Sequence, residues 1–291
     1  MLRWRLLLGA LLIAALVALC WLDVHAKQPR TFLIPLAMLL SVVASGEVLW
    51  LLKARDLKPI AHVVYLGNLI ILASNAVHFV CTSCADTPLE RLAWPLVALT
   101  GCVLWAFGAE MRRYQRPGGV IVNLALAIFS LFYVGVLLSF MVQLLLLEQV
   151  GMIALASMIA IVKVADTSAY FTGRTLGQHK LAPVLSPGKS VEGAIGAIAG
   201  ACLASWLILE VVVPHLVGQT SAKPQGGWIV YGVVVGLAGM LGDLAESLLK
   251  RDMGQKDSSD WLPGFGGVLD VLDSLLVGAP AAYVCWLIGL V

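Results

Sequence analysis

Charge is what this chain has least of: only 12% of its 291 residues are Asp, Glu, Lys or Arg, while 60% are hydrophobic. Mean hydropathy is +0.94. A soluble globular domain carries about 25% charged residues, so a soluble fold is excluded and a membrane protein is implied. No segment marks a separate soluble domain; the longest polar stretches are 166–190 and 250–264. No arginine-rich or aromatic-interleaved segment is present, which removes nucleic acid as a partner. No internal repeat or inverted pair of broken helices is evident, which weakens a transporter architecture. Cysteine is sparse too. Of six, Cys20, Cys102, Cys202 and Cys285 fall in apolar runs, where a thiol behaves as a small hydrophobe. Cys81 and Cys84 form a C-x-x-C that reads as a local disulfide or as plain thiols, because zinc needs two more ligands and only His78 is near.

What the chain has in abundance is apolar runs able to cross a ~30 Å hydrocarbon core as helices. They lie at about 5–22, 32–52, 60–80, 92–109, 119–140, 150–165, 191–213, 228–249 and 267–289. The expected fold is therefore all-α, a polytopic membrane helical bundle of about nine transmembrane helices. Trp94 and Pro95 interrupt the fourth run near its start. The sixth is short unless Lys163 and Asp166 lie at its water-facing end. Lys and Arg alternate cleanly between loops. With the N-terminus cytoplasmic, 14 of the 19 fall inside and Lys27, Arg30, Arg91 and Lys223 outside, as the preference of basic loops for the cytoplasm requires. Cys20-Trp21-Leu22 offers no small-residue cleavage site, so the first run reads as an uncleaved helix.

The acids are unevenly placed within what reads as a single integral-membrane domain, 1–291. The first five runs contain one deep acid, Glu47. The last four hold or border Lys163, Asp166, Glu192, Glu210, Asp243, Glu246, Asp270 and Asp273. Residues 1–147 thus read as scaffold helices and 148–291 as the active half, since ionisable groups at membrane depth are costly and mark function.

Three constellations could carry chemistry. Asp243, Glu246, Ser247 and Lys250 share one helix face at i, i+3, i+4 and i+7, able to act on one ligand; alternatively Glu246 and Lys250 simply neutralise each other. Asp270 and Asp273 follow the glycine-containing turn 263–267 and project from one side of the ninth run. They could share a divalent cation, and hard oxygens that leave room for substrate phosphates suit Mg²⁺. Alternatively they serve the helix N-terminus, where acids are favoured. The polar stretch from Asp166 to Gly193, read as a loop, supplies Arg174, Lys180, Lys189 and hydroxyls for phosphates, or is a basic loop with Ser190 capping the next helix.

The order of these residues resembles the phosphatidate cytidylyltransferase, or CDP-diacylglycerol synthase, family. The resemblance runs without gaps through Ser247, Lys250, Arg251, Lys256, Asp257, Ser259, Pro263, Gly266, Gly267, Asp270 and Asp273. Phe265 stands where that family has His, and Val271 where it has Arg. Upstream, Asp166, Ala169-Tyr170-Phe171, Gly173-Arg174, Ser186-Pro187-x-Lys189-Ser190 and Glu192-Gly193 also match family blocks, so the resemblance covers about 130–280.

The resemblance implies transfer of a cytidylyl group from CTP to phosphatidic acid, giving CDP-diacylglycerol and pyrophosphate, with Mg²⁺ and room for a second cation. It implies Asp243, Asp270 and Asp273 as metal-binding and catalytic residues, with Lys250 beside them. Arg174, Ser186, Lys189, Ser247, Arg251 and Lys256 become substrate contacts. The expected location is the inner cell membrane, multi-pass, with the active site facing the cytoplasm; the bilayer is a partner and a homodimer is open as the assembly. The competing readings are a divergent or inactive family member acting on another lipid phosphate, and a non-enzymatic protein using the acids as a cation path.

Overall fold

A computed structural model of the chain describes residues 2–26, 31–77, 87–217, 226–259 and 266–291. His78, Cys81, Cys84, Pro263 and Phe265 lie outside them. The helices are α1 (Leu2–His25), α2 (Leu33–Lys53), α3 (Ala61–Ala73), α4 (Pro88–Arg113), α5 (Val120–Leu145), α6 (Gly151–Leu176), α7 (Val191–His215), α8 (Gly227–Asp252) and α9 (Leu269–Leu287). A two-stranded antiparallel hairpin, β1 (Lys180–Ala182) and β2 (Ser186–Ser190), joins α6 to α7. The protein is an all-α polytopic membrane bundle. Among the described residues seven helices, α2 and α4 to α9, are long and apolar enough to span, against the nine expected; the apolar segment Ala61–Ala76 is shorter.

Two local expectations are corrected. Residues 166–176 are not loop: α6 runs to Leu176, so Asp166 sits inside a helix of 26 residues and only 180–190 leaves it, as the hairpin. Thr, Tyr and Phe between Asp166 and Leu176 lower helix propensity only slightly, and the close approach of α7 at Gly193, Gly196 and Gly200 backs the helix. Nor does Pro95 break α4. The helix starts earlier, at Pro88, behind a capping box in which Thr87 Oγ1 accepts from Glu90 N and Glu90 Oε2 accepts from Thr87 N. Pro95 has no N–H to give the carbonyl of Arg91 four residues back, and Gln143 Nε2 donates to that oxygen instead, at 3.2 Å.

The chain divides into two units, Met1–Gln143 with Met253–Val271, and Leu144–Asp252 with Leu272–Val291. In the first, Val63, Ile71, Cys102, Ala106 and Leu131 form an apolar core. Polar side chains cross it between helices. Asn75 Nδ2 donates to Ser139 Oγ (3.0 Å), Gln143 Nε2 to Asn75 Oδ1 (2.8 Å) and Asn68 Nδ2 to Ser45 Oγ (2.7 Å). Each such bond in a membrane averages only about 0.6 kcal/mol, so their effect is to specify helix register more than to stabilise.

In the second unit small residues let backbones approach. α7 presents Gly193, Gly196 and Gly200 to α6, where Thr172 and Ser168 fill the space that side chains would need. On α8, a Cβ at Gly232 would stand 2.7 Å from Cys202 Cα of α7. Tyr231, fully buried, ties three helices: its hydroxyl lies 3.0 Å from Ser157 Oγ and accepts from Trp286 Nε1 at 3.2 Å. Gly232→Leu should therefore lower the melting temperature in detergent through an overpacking cost of about 1–3 kcal/mol. Gly101→Ala, at a glycine with nothing within 4 Å, should not lower it. Equal melting temperatures for Gly232→Leu and the parent would contradict the close packing.

Candidate functional site

Within the second unit, four elements bring charge to one place. α6 contributes Lys163 and Asp166, the hairpin Lys189, α8 Asp243 and α9 Asp273. Asp243 lies near enough to both Asp166 and Asp273 for their charges to repel. Lys163 and Lys189 offset that repulsion at Asp166, and Lys163 does so at Asp273. Lys189 Nζ stands 2.7 Å from Asp243 Oδ2. That contact lacks hydrogen-bond direction, and among the described residues the buried ammonium finds no hydrogen-bond acceptor. Its three N–H donors are thus held beside a carboxylate with directional bonding unspent.

Asp273 is buried on the first turns of α9 and uses one oxygen locally: Oδ1 accepts from the backbone N–H and the hydroxyl of Ser274 (2.5 and 3.0 Å). Among the described residues no donor bonds its Oδ2. The backbone there is pressed against α8, where Gly242 leaves room for the Asp273 carbonyl. Among the described residues no three of His, Cys, Asp and Glu stand close enough to enclose an ion alone. Mg²⁺ needs no such cage, since one or two carboxylates plus substrate phosphates and waters satisfy it. Asp243 and Asp273 fit that requirement.

In the first unit the segment before α9 is built on two other carboxylates. Asp270 Oδ2 accepts from Ser258 N (2.8 Å), Ser258 Oγ (2.5 Å) and Gly267 N (2.8 Å). Glu47, buried on α2, takes the next donors: Oε1 from Val268 N (2.9 Å) and Ser259 Oγ (2.9 Å), Oε2 from Leu269 N (2.6 Å). The unpaired N–H groups at the start of α9 are thereby satisfied by an acid more than 200 residues away. The approach demands glycine. Gly266 has φ +89°, and a Cβ on Gly267 would stand 2.5 Å from Glu47 Cδ.

The other residues singled out from sequence have definite places. Glu246, fully buried, pairs with Lys250 at 2.8 Å, so of the four residues expected to act together on one α8 face, two are tied to each other. Ser247 is half-buried beside them. Arg251, exposed, donates from Nε to Leu185 O in the hairpin (3.3 Å). Ser186 begins β2, Lys256 is exposed, and Arg174 bonds the Tyr170 hydroxyl at 2.6 Å. Ser190 caps α7, its Oγ accepting from Gly193 N at 3.1 Å. Val271 is half-buried in the first turn of α9.

Sequence reasoning left Glu47 without a role and overlooked Ser258. Glu47 did carry a signal, as a lone acid in an apolar run, but nothing local names its partners. Ser258 carried none.

A family model described as "Cytidylyltransferase family" matches residues 3–288. The phosphatidate cytidylyltransferase of Chlamydia trachomatis is 33% identical over 231 residues, 77% of this chain and 72% of that protein. The phosphatidate cytidylyltransferase of Haemophilus influenzae is 42% identical over 130 residues, 45% of this chain and 44% of its own length. That of Brucella abortus is 41% identical over 138 residues, 47% of each chain. The chain thus spans about half the length of the last two in these matches.

Removing the Glu47 carboxylate takes the acceptor from the backbone N–H groups of Val268 and Leu269 and the nearer acceptor from the Ser259 hydroxyl. Glu47→Ala should destabilise the turn by about 2 kcal/mol or more. The measurement is hydrogen exchange: the Val268 and Leu269 amides should lose at least tenfold protection relative to those of α6. Unchanged protection there would remove Glu47 from the capping role.

Proposed function

The chain belongs to the cytidylyltransferase family, and on that premise we propose that it transfers a cytidylyl group from CTP to phosphatidic acid, giving CDP-diacylglycerol and pyrophosphate in phospholipid synthesis. The observation that carries the reading is Lys189, whose buried ammonium lies 2.7 Å from Asp243 without a hydrogen-bond acceptor, next to carboxylates that repel one another. Such a place accepts phosphate oxygens and a cation together better than it accepts either alone.

An oxygen of the lipid phosphate attacks the α-phosphorus of CTP, and the bond from that phosphorus to the bridging oxygen of the β-phosphate breaks. Both reactants are anionic at neutral pH, so their mutual repulsion is the obstacle and positioning with charge stabilisation is the remedy. Lys189 turns its donors from Asp243 to a phosphate, which places the positive charge where the negative charge accumulates. Lys163 keeps the acids from repelling the incoming nucleotide. Asp243 and Asp273 would hold Mg²⁺, and the ion would supply neutralisation of phosphate charge there. Asp270, its Oδ2 committed to Ser258 and Gly267, acts here by ordering the turn that begins α9. Lys250 balances Glu246, while Arg251, Lys256, Ser186, Ser247 and Arg174 serve as outer phosphate contacts. The basic loops orient this face to the cytoplasm of the inner membrane, where CTP is available.

The test is incubation of the purified protein in detergent with radiolabelled CTP, phosphatidic acid and Mg²⁺, read as labelled lipid and released pyrophosphate. Product should appear with Mg²⁺ and vanish with a chelator. Lys189→Met and Asp243→Asn should each lower kcat by about 100-fold or more, the scale of losing one preorganised charge contact. Absence of product across a series of divalent metals would overturn the assignment.

A further inference from the structure

The hairpin carries a feature that phosphate chemistry does not use. Its tip residue Val184 is 87% exposed, and Leu181 beside it is also exposed. Tyr170 and Phe171, near the end of α6, and Leu176 at its last turn are exposed as well. These apolar groups are interleaved with cations: exposed Arg174, exposed Lys180 with Nζ 2.7 Å from Pro187 O, and exposed Arg251 reaching Leu185 O. The hairpin has no freedom to stand away from the bilayer. It begins four residues after Leu176 ends one span, and Ser190, its last residue, caps the next. Arg174 lies over the Tyr170 ring at 5.9 Å while bonding its hydroxyl, an arrangement of apolar body and polar tip suited to the headgroup layer.

We propose that the 180–190 hairpin is an interfacial anchor whose tip, Val184, seats among the headgroups of an anionic bilayer and thereby sets the lipid's access to the Lys189–Asp243 pair. Charge complementarity selects the occupant, since Lys180 and Arg251 bond the hairpin backbone on the C-terminal side of an apolar tip, Arg174 stands at the end of the preceding helix, and anionic lipid satisfies both features. The backbone tie from Arg251 to Leu185, adjacent to the tip, and the contact of Lys189 with Asp243 hold both ends of β2 against α8. A lipid lying at the tip is therefore only the length of β2 from the charged cluster. The access part of the proposal rests on the acceptor being a lipid phosphate; the anchoring part does not.

The experiment places an environment-sensitive fluorophore on Val184→Cys in the full chain with its native cysteines replaced by alanine, reconstituted in nanodiscs with and without phosphatidylglycerol. Insertion predicts blue-shifted emission, strong quenching by nitroxide-labelled lipid and weak quenching by aqueous iodide, all enhanced by the anionic lipid. Emission like that of the free dye in buffer, with full iodide quenching, would overturn the anchor; so would protection from both quenchers, which would mean coverage by protein. A second arm measures Val184→Asp in mixed micelles. Loss of the buried tip should raise KM for phosphatidic acid about tenfold and leave KM for CTP unchanged. Equal KM values for the lipid would overturn the access role. Should the parent make no product, the enzymatic reading falls, and the fluorescence still decides the anchor.

Discussion

The start of α9 depends on one carboxylate supplied from another part of the chain. Three donors converge on Glu47, the backbone N–H groups of Val268 and Leu269 and the Ser259 hydroxyl. A helix entering an apolar environment has no water to satisfy its first N–H groups, and Glu47 does so with the charge sign that the helix dipole favours. Gly266 and Gly267 follow from the same requirement: any side chain on Gly267 would meet the carboxyl that the backbone must reach.

Two other carboxylates are settled in the same way. Glu246 and Lys250 cancel as a buried pair, and Asp270 spends Oδ2 on a turn. What distinguishes the cluster of Asp166, Asp243, Asp273, Lys163 and Lys189 is incomplete settlement. Its acids repel, and Lys189 approaches Asp243 without a directed bond. A group of three acids and two lysines whose Lys189 lacks a directed bond is one that an anionic substrate with a cation can complete.

Much of this was legible before any coordinates. Helix existence followed from hydropathy, because only a helix satisfies its own backbone in hydrocarbon, and α2, α7, α8 and α9 begin and end within a few residues of the apolar runs. The Ser190 cap and the Glu246–Lys250 pair were both readable as local alternatives. Asp166 to Leu176 was misread as loop because polar composition at a span's end looks the same in a loop and in a helix whose backing comes from a neighbour, here α7. The effect of Pro95 was misread because its cure, Gln143, lies 52 residues from the carbonyl it bonds.

The amino-acid sequence by itself determined that the chain is a helical membrane protein, that its acids crowd into the last four apolar runs, and which family order they follow. These are properties of composition and spacing, which act locally. Only the tertiary structure decided how the acids divide: Asp243 toward Lys189, Asp166 toward Lys163, Asp273 toward Ser274, Asp270 and Glu47 toward backbone donors, Glu246 toward Lys250. The reason is that the fate of a buried charge is set by whichever partner lies within about 3 Å, and such partners, as Glu47 and Leu269 show, can be separated by most of the chain.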